Sequence, residues 1–168
     1  MKKSSRLQAG FTLIELIVVI TIVAILAATA LPRFAAMQVD ARIAKAQAIY
    51  GAVRSASALA RARCLLDLAQ GLVAAGTCGN AAPAVTMEGQ AVTMINGYPT
   101  ANAAGILMVT QLVAASDGLT ISAGGVGAAQ LITMDVVGAA TAANCRISYT
   151  SSAAANAAPV ITVSATAC

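Results

Sequence analysis

Histidine and tryptophan are absent from this chain. Without an imidazole, no side chain has an ordinary pKa near neutrality, so proton transfer at pH 7 would fall to shifted carboxylates or lysines. Carboxylates are also scarce. Glu15, Asp40, Asp67, Glu88, Asp117 and Asp135 stand singly, with no pair at the helical or hairpin spacing that poises one acid against another. Metal fares no better. Zinc sites draw on closely spaced Cys and His, whereas Cys64, Cys78, Cys145 and Cys168 are at least 14 residues apart. Calcium needs about six to eight oxygens, many of them from carboxylates, and only Asp117 and Asp135 come close to supplying them. No catalytic residue, cofactor or metal is expected.

Charge of either sign is thin, at 10% of residues. The formal +4 misleads, because Lys2, Lys3 and Arg6 crowd the start and the remaining seven basic side chains meet six acidic ones. The body is near neutral, which gives no support to a nucleic-acid or acidic-membrane partner. Apolar residues make up 59%, aromatics only 3%, and much of the excess is alanine. Such a surface is prone to pack against something and suits a subunit surrounded by copies of itself.

What is present is one long apolar run. From Phe11 to Leu31, 21 residues, Glu15 is the only charge. That length matches the roughly 20 residues that cross a hydrocarbon core. Its thirteen Leu, Ile, Val and Phe, at roughly −0.3 to −0.6 kcal/mol each, outweigh roughly +3 kcal/mol for a central carboxylate. The run therefore inserts even with Glu15 ionised, and the basic flank leaves the N-terminus cytoplasmic with the rest outside. Glu15 then needs a partner. No cation lies between Leu7 and Pro32, so the partner is another chain, a headgroup or a new amino terminus.

Gly10-Phe11-Thr12-Leu13-Ile14-Glu15 after a short basic leader resembles the class III signal of type IV pilins and pseudopilins. The resemblance covers about the first thirty residues, and Pro32 sits where that family usually has a proline. It implies that a prepilin peptidase removes residues 1–10 by cutting after Gly10, and that Phe11 becomes the methylated N-terminus. It further implies that Glu15, with Thr12 beside it, serves assembly by attracting the terminal amine of a neighbouring subunit. The implied partners are the peptidase, the inner membrane and its pilus assembly machinery, and copies of the chain in a filament on a Gram-negative-type cell surface. A plain signal anchor would leave Glu15 an unpaired cost. A secretory signal cut after Ala30 fits Ala28-Thr29-Ala30, yet its apolar region exceeds the usual ~7–15 residues. A narrower likeness, to pilins of the mannose-sensitive haemagglutinin type, rests on Leu31-Pro-Arg-Phe34, on Gln38 and Asp40 to Arg42, on Val92 to Ala101 and on Ala103 to Ile106.

The expected fold is α+β: a long helix packed on an antiparallel sheet, with a disulfide-clasped C-terminal region. Residues 11–31 form its transmembrane half, 32–70 its outer half, and 71–168 a β-rich head. Gly71 is the first clear stop signal, and Pro32 should kink or loosen the helix before it. The outer aliphatic positions project all round rather than onto one stripe, so one face would carry the chain's own sheet and the other its neighbours. Arg54 and Arg61 fall on one side, Arg42, Lys45 and Arg63 on another, as solvated or salt-bridged positions between subunits. Strands are expected at Ala84–Glu88, Ala91–Ile95, Leu119–Ala123, Gln130–Val136, Asn144–Thr150 and Pro159–Ala165, with turns at Gly89 and Asn96-Gly97. A helix is expected from Ala101 to about Ala115, with Thr100 as its N-cap. Gly124-Gly125-Val126-Gly127 reads as a turn, since no helix or lysine follows to hold a phosphate. Tyr98 is expected to pack as a turn aromatic. In an oxidising compartment four cysteines read as two disulfides with three possible pairings. Cys64 with Cys78 and Cys145 with Cys168 close local loops, and the second resembles the C-terminal disulfide loop of many type IV pilins.

Overall fold

The computed structural model describes residues 11–73, 77–79, 82–166 and 168. Two units are distinguished, one ending at Gln38 and one running from Val39 to Cys168. Helix α1, Leu13–Ala69, contributes to both. Its end is written in the sequence. Gly71 takes the left-handed conformation (φ 67°), the Gly71 amide donates to the Leu68 carbonyl and the Leu72 amide to that of Asp67. These are the paired bonds of a Schellman stop, which satisfy the last carbonyls and for which glycine is the least strained residue.

In the second unit α1 buries Ala46, Ile49, Val53, Ser57, Ala60, Cys64 and Asp67. Steps of three and four make these positions a single stripe. Its two ends meet different sheets. Ala46, Ile49 and Val53 pack with Ile132, Met134, Ile147 and Tyr149, whereas Ala60 and Cys64 pack with Val85, Val92 and Met94.

The first sheet joins β1 (Ala82–Met87), β2 (Gln90–Ile95) and β3 (Tyr98–Pro99). Both of its turns have two residues, Glu88-Gly89 and Asn96-Gly97, all at positive φ. That is the type I′ geometry that matches strand twist, and Asn-Gly is its strongest sequence signal. The second sheet is an antiparallel meander of β4 (Leu119–Ile121), β5 (Leu131–Val136), β6 (Cys145–Thr150) and β7 (Val160–Ala165). In β6 burial alternates strictly, with Cys145, Ile147 and Tyr149 inward, the period of two that a half-buried strand requires. The architecture is α+β with antiparallel pairing throughout. Among the described residues seven strands form two sheets rather than one.

The join between the sheets explains the glycines. The Gly125 amide donates to the Ala101 carbonyl at 2.9 Å, and a Cβ on Gly124 would lie 1.6 Å from that carbonyl oxygen. The loop is a turn, and it is also a strap that only glycine allows.

The segment after β3 corrects the expected helix. In place of a helix to Ala115 there is a π turn, Ala103–Leu107, followed by one short helical turn, α2, Met108–Thr110. Gly105 breaks the path with φ −104° and ψ −107°, and a Cβ there would lie 2.2 Å from the Thr100 carbonyl oxygen. Thr100 is not the cap either. Asn102 holds that position, while the fully buried Thr100 hydroxyl is bonded to Thr93 and Asn102. A buried hydroxyl without such partners would cost ~1–3 kcal/mol.

Two disulfides staple this unit, Cys64–Cys78 with Cα atoms 6.4 Å apart and Cys145–Cys168 at 5.2 Å. The first ties the end of α1 to the first sheet's core. The second ties β6 to the terminal residue. In the chain-entropy account loops of this length contribute about 3 kcal/mol each.

Candidate functional site

The leader and Gly10 lie outside the described residues. Phe11 is 86% exposed and precedes the helix. Thr12 caps it: the Thr12 hydroxyl accepts the Glu15 amide at 3.3 Å. Thr12-x-x-Glu15 is therefore also the pattern of a capping box, a local signal that the sequence reading passed over. Glu15 lies in the first turn, where the positive end of the helix dipole favours a carboxylate by about 0.3–1 kcal/mol. Among the described residues no cation pairs with it, and it is exposed.

No residue from Phe11 to Gln38 is buried. The run's mean hydropathy is 2.7 over its most apolar window, so aliphatic side chains stand outward on every side. Its internal polar groups are already satisfied. The Thr21 hydroxyl donates to the Ile17 and Val18 carbonyls and that of Thr29 to the Leu26 carbonyl, leaving no unpaired donor to penalise an apolar environment. Pro32 sits inside the helix and, lacking an N–H, leaves the Ala28 carbonyl without its helical donor.

Residues 5–31 match the prokaryotic N-terminal methylation motif. No curated protein matches the chain, and no solved structure does. The match covers the N-terminal segment alone, and the motif is of the kind that opens type IV pilin and pseudopilin precursors. The apolar helix with this motif points to a membrane-anchored precursor.

The second unit corrects the expectation for one basic group. Arg42 donates to the Cys168 carbonyl at 3.3 Å and Lys45 to the Asp117 carbonyl. Arg63 lies 3.0 and 3.1 Å from the two oxygens of Asp67 and donates to Oδ2. Arg42 and Lys45 thus reach main-chain carbonyls of their own head, whereas Arg63 pairs with a carboxylate one turn further along α1 itself. Arg54 and Arg61 differ. Arg54 has no bonded partner among the described residues, and the Arg61 guanidinium sits 4.5 Å above the Tyr98 ring, a cation–π contact.

The carboxylates considered for calcium are engaged. Asp135 makes a two-point pair with Arg146 at 2.7 and 2.9 Å across β5 and β6, and the hydrogen bond and charge of Asp135 raise the Arg146 guanidinium further above its ordinary value. Asp117 accepts the Val113 amide at 2.8 Å. Tyr149 donates to the Pro99 carbonyl at 2.7 Å, and burial pushes its phenol above the usual tyrosine range. Pro99 thus belongs to the core contact between the two sheets. Ser57 faces the same phenol, yet its buried hydroxyl has no bonded partner among the described residues.

Proposed function

We propose that the chain is the precursor of a type IV pilin, the structural subunit of an extracellular filament. One observation carries this reading: the opening stretch of α1, exposed and apolar through Leu31, carries in its first turn a single carboxylate without a partner among the described residues, inside a methylation motif. Removal of residues 1–10 after Gly10 frees an amine at Phe11, which is then methylated. Glu15 of one subunit attracts the Phe11 amine of the next. In a low-dielectric bundle an unpaired charge costs several kcal/mol, so a subunit docked out of register is disfavoured. The exposed aliphatics supply cohesion, and Pro32 supplies a weak point in the ladder of helical bonds. Before assembly the inner membrane holds the precursor; afterwards the filament stands outside a Gram-negative-type cell. The narrower assignment to the haemagglutinin-type pilins rests on the resemblance of Leu31 to Phe34, Gln38, Asp40 to Arg42, Val92 to Ala101 and Ala103 to Ile106.

The deciding experiment is the intact mass of the protein sheared from its native cells, with and without reductant. A methylated chain from Phe11 to Cys168 that gains four hydrogens on reduction, two per disulfide, is the expected result. The same chain found only in the membrane fraction would make it a pseudopilin of a secretion machine. A chain beginning at Leu31 would make it a secreted globular protein and remove Glu15 from any role.

A further inference from the structure

Two clefts flank the buried stripe of α1 within the second unit. One, of about 550 Å³, is lined by Tyr50, Arg54, Arg61, Leu65, Tyr98 and Pro159. The other, of about 600 Å³, is lined by Leu59, Met87, Glu88, Leu107, Gln111 and Leu112. At about 100° per residue, Arg54, Arg61 and Leu65 cluster on one shoulder of the helix, and Leu59 falls on the other, with the buried stripe between them. The two openings therefore face different directions around the same axis.

Their charges are opposite. The first holds two guanidinium groups with no carboxylate to neutralise them among the described residues, and the Ser57 hydroxyl, 2% exposed and without a bonded partner, also lines it. The second carries Glu88 at the tip of the β1–β2 turn, held there by the neutral Gln111 side chain, which leaves its charge uncompensated. Each cleft also exposes aliphatic surface, with Leu65 at 53% and Leu59 at 61%. The remaining cations of the second unit are already bound within the chain.

We propose that these two shoulders are the halves of a contact between copies of the chain, in which the Glu88 turn of one copy enters the Arg54–Arg61–Tyr98 cleft of the next. A contact between two different patches of identical chains is heterologous, so it propagates rather than closing as a dimer. The opposite charges set register and reject the reversed pairing, where arginine would face arginine. The aliphatic rims supply the apolar area. This inference deepens the filament reading and rests on it for its setting, but it makes a separate claim about which head surfaces meet.

The test uses the full chain in its native cells, with a photo-crosslinking amino acid in place of Glu88. A crosslinked dimer whose second peptide contains Arg54 or Tyr98 is expected. In a companion series Glu88→Arg and Arg61→Glu should each lower the sheared-filament yield by roughly tenfold, the scale of ~1.4 kcal/mol, and the double variant should recover most of it. Filaments that form while position 88 crosslinks elsewhere or not at all would overturn the proposed contact and leave the filament reading intact. The expected crosslink in membranes without surface filaments would keep the contact and overturn the filament. Absence of both overturns both. Single charge reversals that leave yield unchanged would also remove the contact.

Discussion

Residues 13–38 and 39–69 belong to one helix of continuous assignment, but they meet opposite fates. In the first stretch every large aliphatic side chain is exposed, from Leu13 at 75% to Met37 at 64%. In the second, seven positions are buried in a single stripe and the chain's own sheets cover them. The difference lies in where each stretch finds its partner. The outer stretch alternates apolar with small and charged residues, so one face can be covered by a compact head while Arg42 and Lys45 reach its carbonyls. The inner stretch is apolar all round from Leu16 to Leu31 and has no buried residue, the pattern of a helix suited to lipid or to other helices. The whole helix therefore reads as two parts with different solvents.

The largest test of that contrast is Glu15→Val. Removing the carboxylate lowers the cost of insertion, so the precursor should enter the membrane and be cut as before. On the proposed assembly it also strips the neighbour's amine of its counter-charge. A loss of several kcal/mol per contact, at ~1.4 kcal/mol per tenfold, predicts at least ~100-fold less filament in the sheared fraction by immunoblot. Normal filament yield would remove Glu15 from assembly. Gly10→Val tests the step before it and should leave the uncut precursor in the membrane; efficient processing of that variant would move the cut site.

A matched pair of truncations separates the two stretches directly. Ile49, 7% exposed within the core, and Ile17, 46% exposed, lose the same atoms on change to alanine. Ile49→Ala should cost the head about 2–5 kcal/mol. Ile17→Ala should leave head stability unchanged within error. Denaturant unfolding of the detergent-solubilised chain, followed by the fluorescence of its three tyrosines, reads both. Equal losses at the two sites would erase the distinction.

Tyr149→Phe is a smaller perturbation in the same core. It leaves the buried Pro99 carbonyl without its donor, at about 1–3 kcal/mol. The pH dependence has a definite sign. The folded pKa is raised above the unfolded value of about 10, so as pH rises the unfolded state loses the phenolic proton first. The contribution is intact below pH 10 and is lost as pH rises above it. Wild type should therefore destabilise at alkaline pH more steeply than Tyr149→Phe. Parallel curves would mean that the phenol ionises as readily when folded.

Much of this was legible before the fold. Gly71, the Asn96-Gly97 turn and the alternation in β6 are local signals, and each element they announced is present. Two kinds of feature were not legible. The first depends on main-chain approach across distance: the Gly125 amide meets the Ala101 carbonyl, and the close pass of Gly105 by the Thr100 carbonyl breaks the path of a helix whose aliphatic spacing was regular. The second depends on acceptors that carry no residue signature. Arg42 and Lys45 find carbonyls, which every residue has, and so resembled cations awaiting a partner in another chain. At the N-terminus the reverse occurred, since the Thr12-x-x-Glu15 cap was legible but stood behind the more specific motif containing it.

That cap supplies the finest division of the two roles at the inner end of the helix. If Thr12 acts only by accepting the Glu15 amide, Thr12→Ala should weaken the first turn by about 1 kcal/mol, seen as faster exchange of that amide in micelles, while Thr12→Ser should restore it. The effect on assembly should be small, because the carboxylate remains. Thr12→Asp keeps a good cap but adds a second negative charge beside Glu15, so the helix end should stay protected. Its filaments should then change with pH and salt in a way those of Thr12→Ser do not. A Thr12→Ser variant that restores the amide's protection yet still fails to assemble would show that the threonine methyl itself takes part in the contact between subunits.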